Sequence, residues 1–274
     1  IIPSFSFVTT ASSFARTGCI LKYCDIEKNN LMPSFDQIKK CVNKNTKALI
    51  IVHYQGYSVD YLDELKKFCL RKKIYLIEDA AQSVGSLYKN KPTGSLGKIG
   101  CFSAHPLKNL NAVGDSGYLT TNNEKIYIKT KNLINHGMTN NRNIIKNFGY
   151  VSRMDNLQAA VLNYRLDKLR EIIKVRRKNA EFYIQNLDSS KITVIKEKSY
   201  QFNTYHTFVI QVKNRKKLVS YLGRKGINTA VHYPIPIHLQ PAAKFLGYKK
   251  GSFPIVEKQA KEILTLPIHQ NLKR

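Results

Sequence analysis

Two short apolar runs constrain this chain more than any other feature. Lys47-Ala48-Leu49-Ile50-Ile51-Val52 and Ile74-Tyr75-Leu76-Ile77 are nearly unbroken in apolar character. Strands that read this way are buried on both faces, as the strands of parallel sheets are. Between them, Asp60 opens a stretch whose Leu62, Leu65, Phe68 and Cys69 share one helical face, and Asp60 and Asp63 favour its N-terminal dipole. Strand, amphipathic helix and strand together form a β-α-β unit, so the fold class is α/β with a mainly parallel sheet.

The second run ends in two carboxylates, Glu78 and Asp79. Ligands of open α/β sheets sit at the carboxyl ends of the strands, so an acid placed there is a candidate site residue. Neighbouring strand residues point to opposite faces; if Asp79 faces the site, Glu78 faces away. Beyond them lie Gly85, Gly94, Gly97 and Gly100. These fit neither the dinucleotide pattern GxGxxG nor the phosphate loop GxxxxGK[ST], and read as turn residues. Lys108 follows Ser103 and precedes Gly114-Asp115-Ser116-Gly117, within a stretch poor in charge. An amine becomes a nucleophile when it is desolvated or set beside another cation, and Lys108 is the lysine whose surroundings suit that. His105 reads as structural.

The remaining elements follow from periodicity and punctuation. Helices are predicted over residues 8–17, 34–42 (capped by Ser34), 125–133, 156–178 and 216–225. Strands are predicted over 19–23, 118–121, 205–212 and 229–233, with residues 140–148 as a polar loop. Gly226 reads as a helix-terminating glycine. Lys174, Arg176, Arg177 and Lys178 read as the solvated face of the long helix.

The five cysteines, Cys19, Cys24, Cys41, Cys69 and Cys101, form no CxxC pair and no metal-ligand spacing, and read as reduced thiols. His232 and His238 have no acid or cysteine close in sequence, which makes a poor metal site. Pro234 and Pro236 keep the run between them extended, and both histidines read as a substrate-facing rim. No metal is expected. No apolar run reaches the ~18 residues a membrane helix needs, so the expected setting is cytoplasmic. The formal net charge of +27 comes from 45 Lys and Arg against 18 Asp and Glu. Such a surplus raises the alternative of a basic nucleic-acid-binding protein. Because the lysines are dispersed rather than gathered into a basic-aromatic stripe, nucleic acid is not expected as a partner.

Five separated stretches share a further property: EDAAQ at 78–82, CFSAHPLKNL at 101–110, GDSG at 114–117, SRMDNLQAA at 152–160 and HYPIPIHLQP at 232–241. In order and spacing they resemble the DegT/StrS family of sugar aminotransferases, which use pyridoxal 5′-phosphate (PLP), and the likeness covers nearly the whole chain. The resemblance implies a fold type I PLP-transferase: a three-layer αβα large domain with a mainly parallel sheet, here residues 1–160, and a smaller C-terminal α/β domain, residues 161–274. It implies that Lys108 carries the Schiff base, Asp79 bonds the pyridine nitrogen, Ser103 bonds the phosphate, and Gln82 lies beside the phenolic oxygen. Phe7 would otherwise read as core; the resemblance places it against the cofactor ring. His232 and Tyr233 are implied at the substrate rim. The implied reaction moves an amino group, from glutamate as donor, to a nucleotide-linked keto sugar in surface-polysaccharide or deoxyamino-sugar biosynthesis, in a homodimer. A related PLP-dependent sugar dehydratase is the alternative, and Lys108 stands where that type carries histidine. Val151 stands where the family usually has an asparagine that reaches the neighbouring subunit's cofactor phosphate. The resemblance further implies a segment before Ile1, with a Gly/Thr-containing helix start that binds cofactor phosphate, and a terminal helix after Arg274.

Overall fold

The computed structural model describes residues 1–272; the last two residues of the second predicted domain lie outside them. The first part of the chain runs β1 (Ile2–Pro3), α1 (Thr9–Ala15), β2 (Tyr23–Cys24), α2 (Phe35–Cys41), β3 (Ala48–Val52), α3 (Leu62–Arg71) and β4 (Tyr75–Asp79). A hairpin of β5 (Leu87–Tyr88) and β6 (Lys91–Pro92) follows, then β7 (Ile99–Ser103), β8 (Gly117–Thr120) and α4 (Glu124–Leu133). The rest comprises α5 (Asn156–Leu166), α6 (Leu169–Asn186), β9 (Thr193–Val194), β10 (Gln201–Phe202), β11 (Phe208–Gln211), α7 (Arg215–Arg224), α8 (Pro254–Glu262) and β12 (Ile263–Leu266).

The predicted β-α-β unit forms as β3-α3-β4 and seeds a four-stranded sheet in the order β3-β4-β7-β8. The first three strands are parallel and β8 is antiparallel to β7. β1, parallel to β2, joins this sheet's edge through Ile50 N–H donating to Ile1 O at 2.9 Å. Register sets Asp79 between Val52 and Cys101, and Ser103 opposite Gly117 on β8. The carboxyl ends of β3 and β4 are therefore level, and β7 runs two residues further, to Ser103. Gly100 passes so close to Gly94 that a Cβ on it would lie 2.0 Å from the Gly94 carbonyl oxygen, so only glycine fits there.

A second sheet, β12-β11-β9, is antiparallel. The main core runs between the sheets, with Leu49, Ile51, Leu76, Phe208, Val209 and Leu264 in one cluster. Ser34 caps α2 in a reciprocal capping box with Gln37. Gly226 follows α7 with φ +74°.

Several expected elements differ. The helix predicted over 156–178 is two helices, α5 and α6, broken at Asp167-Lys168. The predicted strand over 19–23 shrinks to β2, and residues 229–233 contribute one bridge, Ala230 to Thr265. Asp60 does not start α3; it binds Lys198 Nζ at 2.9 Å and Gln201 Nε2 at 3.0 Å. The basic block in α6 is only half solvated. Arg176 is buried and donates to the carbonyls of Tyr205 and His206, each at 3.1 Å. Arg177 grips Glu197 through both guanidinium nitrogens, at 2.8 and 2.9 Å. The reason is that α6 packs against the loop leading into β11, whose carbonyls need donors.

Glu78, fully buried, turns away from Asp79 as strand alternation requires. It pairs with buried His53 at 2.8 Å and accepts the backbone N–H groups of Gly94, Leu96 and Gly97. Burial pushes its carboxyl up, but the His53 hydrogen bond and the loop amides outweigh burial and hold it below the ordinary glutamate value. A depressed folded-state value makes this contribution complete above the unfolded value, ~4.3, and lost as pH falls through the lower folded one. Glu78→Gln should therefore destabilise the fold by about 3 kcal/mol near neutrality, with the gap to wild type closing below about pH 4. Denaturant unfolding across that range checks this; a pH-independent gap would contradict it.

Candidate active site

The site lies at the carboxyl end of β4. Asp79 Oδ2 accepts from Thr10 Oγ1 at 2.6 Å, and Oδ1 accepts from Ala81 N–H at 3.2 Å. The loop after β7 brings Lys108 into range of this carboxylate. Burial lowers the Lys108 amine below the ordinary lysine value, and the Asp79 charge opposes that shift. This is the desolvated amine that the sequence predicts.

Gln82 is set by a chain of backbone contacts. Gln55, held at φ +60°, donates its N–H to Gln82 Oε1 at 2.7 Å, and its own Oε1 accepts from Val209 N–H at 2.9 Å. A left-handed non-glycine residue costs about 1–3 kcal/mol and persists where its surroundings fix it. With Oε1 committed, the Gln82 amide presents its Nε2 toward the Tyr233 hydroxyl, 3.5 Å away. The Tyr233 ring lies 5.4 Å from that of Phe7, tilted by 34°. Phe7 is 51 % exposed, so about half of this apolar side chain remains open beside the Tyr233 ring. Burial, then the nearby Asp79 charge, push the Tyr233 phenol up to about 12.

Ser103 Oγ accepts the His105 N–H at 3.3 Å, which leaves its own proton to give. At the start of β8, a Cβ on Gly117 would lie 2.7 Å from the Phe102 carbonyl oxygen, so the last glycine of the GDSG stretch is required. His232 is half-buried: its Nδ1 shares a hydrogen bond with Thr265 Oγ1 at 2.9 Å, and its carbonyl accepts from Tyr54 at 2.6 Å. Burial lowers its imidazole and the Lys108 charge lowers it further, so it sits within the field of the site.

Phe7, Asp79, Gln82, Lys108, Tyr233 and His232 thus converge, and Ser103 ends β7, the strand that leads into the loop carrying Lys108. His238 does not join them. It is buried and pairs with Glu257 at 3.1 Å, because α8 brings in an acid remote in sequence; the rim reading is corrected for His238. Among the described residues no group of three or more His, Cys, Asp or Glu could hold a metal ion, and no helix is long and apolar enough to cross a membrane. Thr10 and His206 went unread in the sequence. Thr10 lies four residues after Ser6, a spacing that puts two hydroxyls on one face of a helical turn. His206 feels both Lys108 and Arg176, and no local pattern signals that.

The site thus sets a desolvated amine within the field of a carboxylate at the end of a parallel strand, beside a half-exposed aromatic ring. All 274 residues match the model of the DegT/DnrJ/EryC1/StrS aminotransferase family, and the chain belongs to that family. The pleiotropic regulatory protein of Geobacillus stearothermophilus is 36 % identical over 276 residues, aligning 100 % of this chain with 74 % of its own length. The UDP-2-acetamido-2-deoxy-3-oxo-D-glucuronate aminotransferase of Pseudomonas aeruginosa is 33 % identical over 274 residues, with 99 % and 74 % covered. The crystal structure of S. venezuelae DesV in complex with a ketimine intermediate superposes with a TM-score of 0.94 at 30 % identity, covering 100 % and 74 %. At 23 % identity the fold also matches the PLP-form of Spr1654 from Streptococcus pneumoniae, with a TM-score of 0.90 and 99 % and 76 % covered.

The opposing influences on Lys108 can be separated. Asp79→Asn removes the charge that holds the amine up, so Lys108 should titrate at lower pH than in wild type. The pH dependence of its acetylation in cofactor-free protein, followed by peptide mass spectrometry, checks this. An unchanged or higher midpoint would show that Asp79 does not act on Lys108.

Proposed function

We propose that this chain is a PLP-dependent aminotransferase that moves an amino group, from glutamate, to a nucleotide-linked keto sugar in surface-polysaccharide or deoxyamino-sugar biosynthesis. The observation that carries the reading is the Lys108 amine, lowered by burial and facing the Asp79 charge at the end of β4. Membership of a sugar aminotransferase family supports the class of substrate. We place the chain in fold type I, with a large domain over residues 1–160 and a small one over 161–274.

The residues present fit PLP. Phe7 offers an open flat face to an aromatic ring, Asp79 an acceptor to a ring nitrogen, Gln82 an amide donor, and Ser103 a hydroxyl proton to a phosphate. When bound, the cofactor supplies an electron sink conjugated to the carbon that gains or loses a proton. Lys108 would hold the cofactor covalently, and its free amine would move the proton at that carbon. Burial suits it to this work, since a base is most effective when its pKa approaches the operating pH. Asp79 would keep the ring nitrogen protonated by its charge. Tyr233 and His232 face the sugar.

The protein acts as a homodimer in this reading. Leu107, Phe148, Tyr150, Val151 and Leu157 are all more than two-thirds exposed, a set of large apolar side chains that suits burial against a second copy. Val151 cannot donate a hydrogen bond, so the partner-phosphate contact implied for that position is not assigned to it. Lysine at 108 favours transamination over the dehydratase alternative.

Borohydride reduction of the holoprotein should place the pyridoxyl mass on the peptide containing Lys108. Lys108→Ala should remain folded, lose that label, and lose amino transfer from glutamate by about 10²- to 10⁴-fold or more against a panel of nucleotide-linked keto sugars. Label on any other lysine overturns the assignment.

A further inference from the structure

Asp79 does not stand alone at the end of β4. The turn into α1 and the first turn of that helix carry two hydroxyls, Ser6 and Thr10, each 6 % exposed. Ser6 Oγ and Thr10 Oγ1 are 2.7 Å apart, and Thr10 Oγ1 lies 2.6 Å from Asp79 Oδ2. Which way the protons point follows from chemistry. An ionised carboxylate only accepts, and a hydroxyl has one proton to give. Thr10 therefore gives its proton to Asp79, and the bond between the hydroxyls is donated by Ser6. The result is a directed relay, Ser6 to Thr10 to Asp79. Its last bond has the short length typical of an O–H donor on a carboxylate, and successive bonds in such a chain polarise one another.

We propose that Thr10, backed by Ser6, is a positioning residue for transamination: the relay fixes the rotation of the Asp79 carboxylate, and with it the direction of its free oxygen. The proposal rests on the assignment of Asp79 to the cofactor's ring nitrogen made above. With Oδ2 engaged by Thr10, Oδ1 carries only the longer bond from Ala81 N–H and keeps acceptor capacity to spare. Phe7 lies between the two hydroxyl residues in sequence, so one turn supplies both the flat apolar face and the relay. The ionisable groups that also feel Asp79 are Lys108, Tyr233 and Cys101. None of them supplies a hydrogen bond to Oδ2; Thr10 does.

The test uses full-length protein loaded with PLP labelled with ¹⁵N in the ring, at neutral pH. It reads the protonation of the ring nitrogen by NMR and the affinity for PLP by dialysis. Wild type should show a protonated nitrogen, and Asp79→Asn a neutral one. Thr10→Val, close in shape but without the hydroxyl, should move the nitrogen signal toward that of Asp79→Asn and weaken PLP binding about tenfold or more. Thr10→Ser should behave as wild type. Ser6→Ala should shift the signal in the same direction by less. A Thr10→Val protein with wild-type nitrogen signal and affinity, beside a shifted Asp79→Asn protein, overturns the relay. Should Thr10→Val not fold, Ser6→Ala decides: a wild-type signal there overturns the relay and a shifted one supports it. If Asp79→Asn leaves the nitrogen protonated, the cofactor assignment itself falls, and the relay with it.

Discussion

The alternation of Glu78 and Asp79 at the end of β4 organises the rest of the molecule. A strand sends neighbouring side chains to opposite faces, and here each face receives a carboxylate with a different task. Glu78 goes inward, pairs with His53 and collects three backbone amides from residues 94–97. That loop leads directly into β7, and β7 leads to Ser103 and Lys108. A buried carboxylate with fewer donors would be pushed toward its neutral form and would release the loop. The clamp on one face of β4 therefore fixes the distance across which Lys108 meets Asp79 on the other.

A second set of contacts ties the C-terminal half to this edge. Gln55, just beyond β3, uses its backbone N–H on Gln82, its carbonyl on His206 N–H at 3.1 Å and its side chain on Val209 of β11. Arg176 then donates to the carbonyls of Tyr205 and His206, and Tyr205 itself sits at φ +45°. Two non-glycine residues in the left-handed region, each held by several hydrogen bonds, mark where the antiparallel sheet is joined to the parallel one. Strain of this kind survives only where surrounding contacts determine the backbone. The hydrophobic cluster that includes Leu49, Leu76, Phe208 and Leu264 supplies that determination.

Periodicity and strand-end chemistry made the centre of the fold legible in the sequence. The β-α-β unit, the opposed carboxylates, the Ser34 cap and the poorly solvated lysine each follow from a local pattern, and local patterns survive folding when burial is already written into them. Where contacts come from far away in sequence, local reading fails. Arg176 reads as solvated because its helix face is rich in charge, yet the carbonyls it serves lie 29 and 30 residues away. His238 reads as a rim residue because Glu257 is 19 residues distant. The break at Asp167-Lys168 carries no glycine or proline, so the long helix had no internal stop signal. Thr10 was hidden for the same reason as Arg176: its partner, Asp79, is 69 residues away.

The same long-range packing sets the charge state of the site. The chain as a whole is strongly basic, but global charge says little about a desolvated cluster. Burial pushes the His206 imidazole well below its ordinary value, and the positive Lys108 and Arg176 push it further. His232 is lowered in the same way, by burial and then by Lys108, while the Tyr233 phenol is raised to about 12. Histidine ordinarily titrates near ~6.5 and tyrosine near ~10, so these three groups are neutral across the neutral pH range. Both imidazole shifts contain a contribution from the Lys108 charge, so the protonation state of that amine is felt at His206 and at His232 alike.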